Sequence, residues 1–399
     1  PRITGLFSAE AHYVQTATSL QLSAEANIKQ LTYEKQPVGD VGLGATWLPG
    51  ETGQHYLNSY LMVNDEEVMT ADGTLTQKGE KESLDVMATL ERFPLQIANA
   101  FVPDRMVQLS GHVGGGLHLE GSLDTPVLNG DISLDSVSVY ARQAGAKFWF
   151  DNRPIRFENN RLLFNQFAIY TTSRNPFTID GNVDFRDMNR PTADLNLRAK
   201  NYTLLDAPRT RESLVYGKVC VDLMATVRGP LDALVMRGNM NLLSNTDVTY
   251  VMTDSPLTVQ DRLDGLVTFT SFSDTTTVRQ AEVPTLSLGG MDMVVSVHID
   301  NSVQLRADLN PDRSNYVVLE GGGDLTLQYT PMGDMNLNGR YTLSGGRLKY
   351  SLPVIPLEEF QLTNGSYVEW RGDLMNPILN LKATERKRAC LLYTSDAAD

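Results

Sequence analysis

Between positions 219 and 228 apolar and polar residues alternate one for one. Val219, Val221, Leu223, Ala225 and Val227 share one parity, and Cys220, Asp222, Met224, Thr226 and Arg228 the other. Successive side chains of a strand point to opposite faces, so this spacing predicts a strand with one apolar face and one mostly polar face. The same period returns where Met291, Met293, Val295, Val297 and Ile299 alternate with Asp292, Val294, Ser296, His298 and Asp300. Shorter stretches repeat it at Leu117 and Leu119, Ile132 and Leu134, Phe148 and Phe150, Val183 and Phe185, and Leu195 and Leu197. It continues at Val303 to Leu309, at Leu325, Leu327 and Tyr329, and at Leu337, Tyr341 and Leu343. Glycine clusters at 114–116, 289–290, 321–323 and 345–346 fall between such runs, where hairpin reversals need positive φ. The expectation is an all-β chain, an antiparallel meander of about twenty-five strands of five or six residues. Laid flat at about 4.8 Å per strand, it would extend on the order of 120 Å.

Helix signals are sparse. The best runs from Pro94 to Phe101 and ends at Pro103, with Leu95, Ala98 and Phe101 on one face. It suggests a soft boundary near residue 91, dividing a β segment 1–90 from a β region 91–389. An internal repeat is also present. The ten residues from Gly121 (GSLDTPVLNG) match those from Gly229 (GPLDALVMRG) and, less evenly spaced, those from Gly372 (GDLMNPILNL). Unequal spacing excludes a strict solenoid and fits an array of similar β units.

A long sheet with one apolar face cannot leave that face in water, at about 25 cal/mol per Å². It must close into sandwiches, cover itself, or curl into a trough that holds something apolar. For any single run the ordinary reading is a dry sandwich core.

Composition agrees with a folded chain and narrows its chemistry. Of 399 residues 41% are hydrophobic and 21% charged, too apolar for disorder. The net charge of −14 argues against tracking nucleic-acid phosphates or docking on anionic lipid by charge alone. Cys220 and Cys390 cannot build a disulfide framework and match no metal spacing. His12, His55, His112, His118 and His298 are scattered without a second ligand at metal spacing. The glycines of 111–121 lack the Lys-Ser or Lys-Thr of a phosphate loop. Residues 308–314 (DLNPDRS) open like a calcium loop but carry Arg313 where glycine is needed and Leu319 where the bidentate acid belongs, so a polar turn is expected. The residues suggest no catalytic group, no metal and no cofactor, and the chain reads as a non-enzyme.

The stretch 335–384 carries the most specific signal. Gly339, Tyr341, Leu343, Gly345-Gly346, Tyr350 and Leu352 precede Asn364-Gly365-Ser366, Val368, Trp370, Gly372-Asp373 and Pro377. This pattern resembles the C-terminal domain of the TamB family, within the AsmA-like group of bacterial envelope proteins. The resemblance implies an elongated, curled antiparallel sheet, an open groove whose apolar lining accepts phospholipid acyl chains. It also implies a periplasmic protein held at the inner membrane by an N-terminal anchor, with an outer-membrane Omp85-type, TamA-like barrel as partner. The expected lining comprises Leu117, Leu119, Ile132, Leu134, Val183, Phe185, Val219, Val221, Leu223 and Val227, then Met291, Met293, Val295, Val297, Ile299, Leu325, Leu327, Leu337, Tyr341 and Leu343. Such a face is lined rather than filled, so a charge at Val295 or Leu223 is expected to spare the fold. The alternative is a scaffold that donates strand edges to client proteins and has a dry core.

The chain opens Pro1-Arg2-Ile3 with no initiator Met and no signal segment, which suggests that an anchor lies upstream. The pattern gives out after Ala389. Residues 390–399 (CLLYTSDAAD) read either as adapter-derived sequence or as a frayed native tail.

Overall fold

The computed structural model describes residues 2–15, 20–34, 36–50, 53–78, 81–102, 107–141, 145–210, 215–251, 290–310, 312–352, 355–374 and 376–384. The expectations for Pro103, Gly289, Cys390 and the last ten residues lie outside that set. Within it, twenty-three strands form one sheet. Strands β1 (Ile3–Gln15), β2 (Leu20–Tyr33), β3 (Gln36–Pro49) and β4 (Gln54–Val63) pair in chain order, each antiparallel to the last. So do β5 (Glu66–Lys78), β6 (Lys81–Pro94), β7 (Val107–Ser122) and β8 (Pro126–Ala141). β9 (Ala146–Phe150) and β10 (Ile155–Glu158) share the rung between β8 and β11 (Arg161–Tyr170). β12 (Phe177–Asp184), β13 (Thr192–Ala207) and β14 (Val215–Pro230) follow.

β15 (Val235–Leu242) and β16 (Asp247–Val251) share the rung after β14. β17 (Asp292–Asp308), β18 (Tyr316–Tyr329) and β19 (Met335–Leu352) come next. β20 (Ile355–Leu362) and β21 (Tyr367–Asp373) share the far side of β19, and they pair with β23 (Ala383–Thr384) and β22 (Ile378–Asn380).

Four features correct the sequence expectation. Strands are longer and rungs fewer: many strands span 13 to 18 residues, and the four shared rungs leave nineteen, on the order of 90 Å if flat. The glycines at 114–116, 321–323 and 345–346 lie inside β7, β18 and β19 and reverse nothing; only Gly290 sits in a turn. They permit close approach of backbones: a Cβ on Gly323 would stand 2.0 Å from the Arg340 carbonyl oxygen, and one on Gly321 2.1 Å from that of Thr342. The sheet is not wholly antiparallel either, since β15 and β16 run parallel to β17. A parallel step obliges the chain to return past the strand's length, and residues 252–289, which connect these strands, lie outside the described set. Finally, the helix at Leu95–Phe101 is a 3₁₀ turn that buries Ala100 and leaves Phe101 exposed. Asn99 anchors it by exchanging two hydrogen bonds with the backbone of Leu109, at 2.8 and 2.6 Å.

The repeat is one recurring hairpin. In each copy a glycine near the strand's end has φ near +110° (Gly121 +105°, Gly229 +117°, Gly372 +120°), a conformation glycine adopts without a Cβ penalty. The residue after it accepts a bond from the N–H three positions on: Thr125 to Ser122, Ala233 to Pro230, Asn376 to Asp373.

Several long strands are interrupted or bulged part-way along. β9 and β10, β15 and β16, and β20 and β21 are separated at residues 151–154, 243–246 and 363–366, and unbroken neighbours carry bulges, as between Phe164 and Phe167, Ala199 and Tyr202, and Ile299 and Val303. A bulge bends its strand and raises the local twist. Gln30, Gln166 and Asn201 take left-handed φ of 51°, 47° and 45° at such bulges. Each donates its freed N–H to an aspartate of a neighbouring strand: Asp40 at 2.7 Å, Asp180 at 2.8 Å and Asp222 at 2.6 Å. Asp300 accepts from the backbone N–H of Ser244, in the turn between β15 and β16, at 3.1 Å. These bulges contribute to the curl of the sheet.

Candidate functional site

Directly opposed residues share a face, so register defines what each face presents. One row crosses thirteen strands: Ala11, Ala24, Ala45, Ser59, Ala71, Ala88, Leu117, Gly130, Phe157, Leu162, Val183, Ala193 and Gly229. Another continues on the same face through Ile179, Leu197, Ala225, Gly238, Val295, Leu327 and Leu337. From β1 to β19, therefore, one face of the sheet presents apolar residues and glycines along these rows, with Ser59 the one polar member.

The expected lining falls on this face almost entirely. Leu119 opposes Val86 and Leu128, Ile132 opposes Gly115 and Ile155, and Leu134 opposes Val113. Val219 meets Leu205, Val221 meets Tyr202 and Leu242, Leu223 meets Ala199 and Met240, and Val227 meets Leu195 and Met236. Met293, Val297, Ile299 and Leu325 continue these rows, as do Tyr341, opposite Gly323 and Val368, and Leu343, opposite Gly321. Phe185 and Met291 sit just outside β12 and β17, beyond the ladders that fix a face.

Exposure along the face is graded. Near β1 it is open: Leu22 is 45% exposed and Leu43 51%, beside a cavity of about 250 Å³ walled by Ala9, Ala11, Ala24, Ala26, Leu43 and Ala45 together with Glu10 and Glu25. In β7 and β8 the lining leucines and Ile132 are half-buried. Towards β21 it is filled. Ile299, Val303, Leu325, Leu337, Tyr341, Leu343, Leu362 and Val368 form one buried cluster. Val183, Val221, Val227 and Val295 are buried as well, whereas Leu223 stays half-buried. Val295, at 4% exposure, is thus a packed position, unlike the expectation for a merely lined face.

Charged groups among the described residues gather on the other face and at strand ends. Tyr202, Tyr329 and Tyr341 are buried phenols; burial pushes Tyr202 up to about 12 and, with the Glu320 carboxylate as a lesser cause, raises Tyr341 too. Residues 308–310 and 312–314 surround Asp308 with polar groups; it is fully buried and accepts from Arg306 at 2.8 Å and from the Tyr216 hydroxyl at 3.2 Å, with Arg313 at 3.7 Å. Cys220 is a buried free thiol 3.8 Å from the Thr203 hydroxyl. His118 and His298 pair with Asp85 and Asp324 on the polar face, at 2.8 and 2.7 Å. No group of three or more His, Cys, Asp or Glu that could hold a metal occurs among the described residues, and no helix among them is long and apolar enough to cross a membrane.

Sequence reasoning missed the aspartates of the curl. Asp40, Asp180, Asp222 and Asp300 are ordinary polar-parity residues in their strands, and only the bulge or, for Asp300, the inter-strand turn opposite gives each a role.

Residues 165–398 match the family profile of the TamB C-terminal domain. The chain belongs to the TamB family. No curated protein and no solved structure matches it. The TamB match starts in β11 and takes in the parallel step, the recurring hairpins at Gly229 and Gly372 and the filled C-terminal cluster. TamB proteins are cell-envelope translocation and assembly modules, a transport and assembly family.

Proposed function

We propose that the apolar face is a passive path for phospholipid acyl chains between the inner and outer membranes of the cell envelope, supporting outer-membrane biogenesis. The observation that carries this reading is the largely apolar face, open at β1 to β3 with Leu22 and Leu43 about half exposed. An exposed apolar strip of that kind in a water-soluble sheet calls for an occupant. Burying about sixteen methylenes at roughly 0.8 kcal/mol each would hold a tail by on the order of 10 kcal/mol. Because the contact is non-directional, a tail can pass from rung to rung without nucleotide or nucleophile. The stretches 1–90 and 91–389 then act as successive parts of one groove in the periplasm, tied to the inner membrane through an upstream anchor. An Omp85-type, TamA-like barrel receives the C-terminal end.

A second reading has its own support. The C-terminal cluster is filled, and β22 carries Leu379 at 61% exposure, as a strand-donating scaffold for outer-membrane proteins would. Mass spectrometry of lipids that co-purify with the chain separates the two. Phospholipid at near-stoichiometric levels, displaced by Leu43→Asp, supports the conduit; a stable, lipid-free protein supports the scaffold.

A further inference from the structure

In β2 to β5 the two ends of the strands differ. Where β2 and β4 begin, Leu20, Leu22 and Leu57 of the apolar face are exposed. At the opposite ends Val38 of β3, Val63 of β4 and Val68 of β5 are buried, Val68 to 2%. Val63 and Val68 lie on either side of the Asn64-Asp65 turn, and a hairpin tip is ordinarily open to water. One lip of the groove is therefore covered and the other bare.

The cover is the 3₁₀ segment Leu95–Phe101. It follows β6 and precedes β7, yet it touches β2 and β3 as well as β7. β3 stands four rungs from β7, about 19 Å if flat, whereas the seven residues of the segment rise about 14 Å. The segment thus spans the ends of β4, β5 and β6 as a strap drawn across the curl. Its Phe101 ring stands 4.7 Å from that of Tyr33, Ala100 is its buried residue, and Asn99 ties it to Leu109. The bare lip has other chemistry. Trp47 opposes Leu22 and Leu57 on the apolar face and stacks on His55 at 4.9 Å. Beyond it the strands end close to Gln15, Gln21, Gln54 and Gln77, with Glu82 opposite Gln77. An indole, apolar with one N–H, suits the boundary between an apolar and a wet region.

We propose that the strap fixes how a phospholipid lies in this open stretch: its tails run along the strands with their methyl ends under the strap, and its headgroup emerges at the opposite lip beside Trp47. The assignment rests on the lipid-path reading. The dimensions fit. One tail is about 15 Å long, half the hydrocarbon core of a bilayer, and covers about four or five strand residues. Counted from Val63 it ends by Ser59 and Leu57, and Leu57 is the neighbour of Trp47. The test is photocrosslinking of the full chain with phosphatidylethanolamine carrying a diazirine either at the tail end or in the headgroup, the labelled peptides being mapped by mass spectrometry. The tail-end probe is expected on residues 95–101 and 61–63, the headgroup probe on 47–50 and 54–57. Asn99→Ala removes both bonds to Leu109 and should lower the preference of each probe for its lip about tenfold. Headgroup label at the strap, or equal labelling of both lips in the wild type, would overturn the orientation and leave the lipid path standing. An unchanged map in folded Asn99→Ala would overturn the role of the strap. Absence of both labels from β1 to β7 would remove the lipid path from this stretch, and the orientation with it.

Discussion

The hydroxyl of Tyr341 donates to the carbonyl of Val303, 3.1 Å away and two strands across the sheet. The ring reaches that far because glycines 321–323 of β18 lie between the two strands without side chains. One glycine cluster and one tyrosine thus seal the apolar face at its C-terminal end.

Replacing Tyr341 by Phe keeps the ring and removes the donor, at a cost of about 1–2 kcal/mol in urea unfolding. The same variant should flatten alkaline unfolding. The folded phenol's pKa is raised, so its contribution is intact below the unfolded value of about 10 and is lost as pH climbs from there towards the folded value. A parallel loss of stability in wild type and Tyr341→Phe above pH 10 would contradict this.

Val295→Asp and Leu43→Asp should behave oppositely. The first places a charge at a site 4% exposed and is expected to cost at least about 3 kcal/mol or abolish folding. The second lies on an open stretch and should stay within about 1 kcal/mol of wild type while reducing co-purified lipid. Unchanged lipid in Leu43→Asp would remove the N-terminal stretch from the path.

Asp222→Ala withdraws the acceptor for the left-handed Asn201 N–H, a site open to water, and should cost about 1 kcal/mol. Its clearer effect is on shape. Spin labels placed on either side of the Asn201 bulge should show a broader distance distribution in Asp222→Ala than in wild type.

At Asp308 the expected loss is larger. Removing this fully buried carboxylate strands Arg313, only 11% exposed, and leaves the Tyr216 hydroxyl without its acceptor, so Asp308→Ala should lose about 3–5 kcal/mol by chemical denaturation. A near-neutral result would mean that water replaces the carboxylate.

His118 gives a pH-dependent term of defined sign. Its hydrogen bond to Asp85 is the main cause of a raised pKa, so the stabilisation is full below the unfolded value near 6.5 and disappears as pH rises through the higher folded value. An NMR titration of His118 should show a midpoint above the ordinary one that returns to it in Asp85→Asn.

Much of the fold was legible in the residues. Strict alternation, as at 219–228 and 291–300, identified strands and the members of one face, because the side-chain period of a strand is two whatever its neighbours do. The glycines were misread for a physical reason: a glycine that reverses a chain and one that lets a neighbouring backbone approach look alike in sequence. Only the register of β18 against β19 distinguishes them. The recurring block at Gly121, Gly229 and Gly372 was visible as a repeat, but its identity as one hairpin with the same turn bond was not.

The sequence by itself determined that this protein is a long β-sheet with one apolar and one polar face, since both follow from local periodicity and composition. Tertiary structure alone decided where that apolar face is open and where it is filled. Leu43 and Val295 are equally apolar and equally well placed on the face, yet one is half exposed and the other buried. The difference arises from how far the sheet curls around each, which depends on bulges, aspartate acceptors and cross-strand contacts between residues distant in sequence.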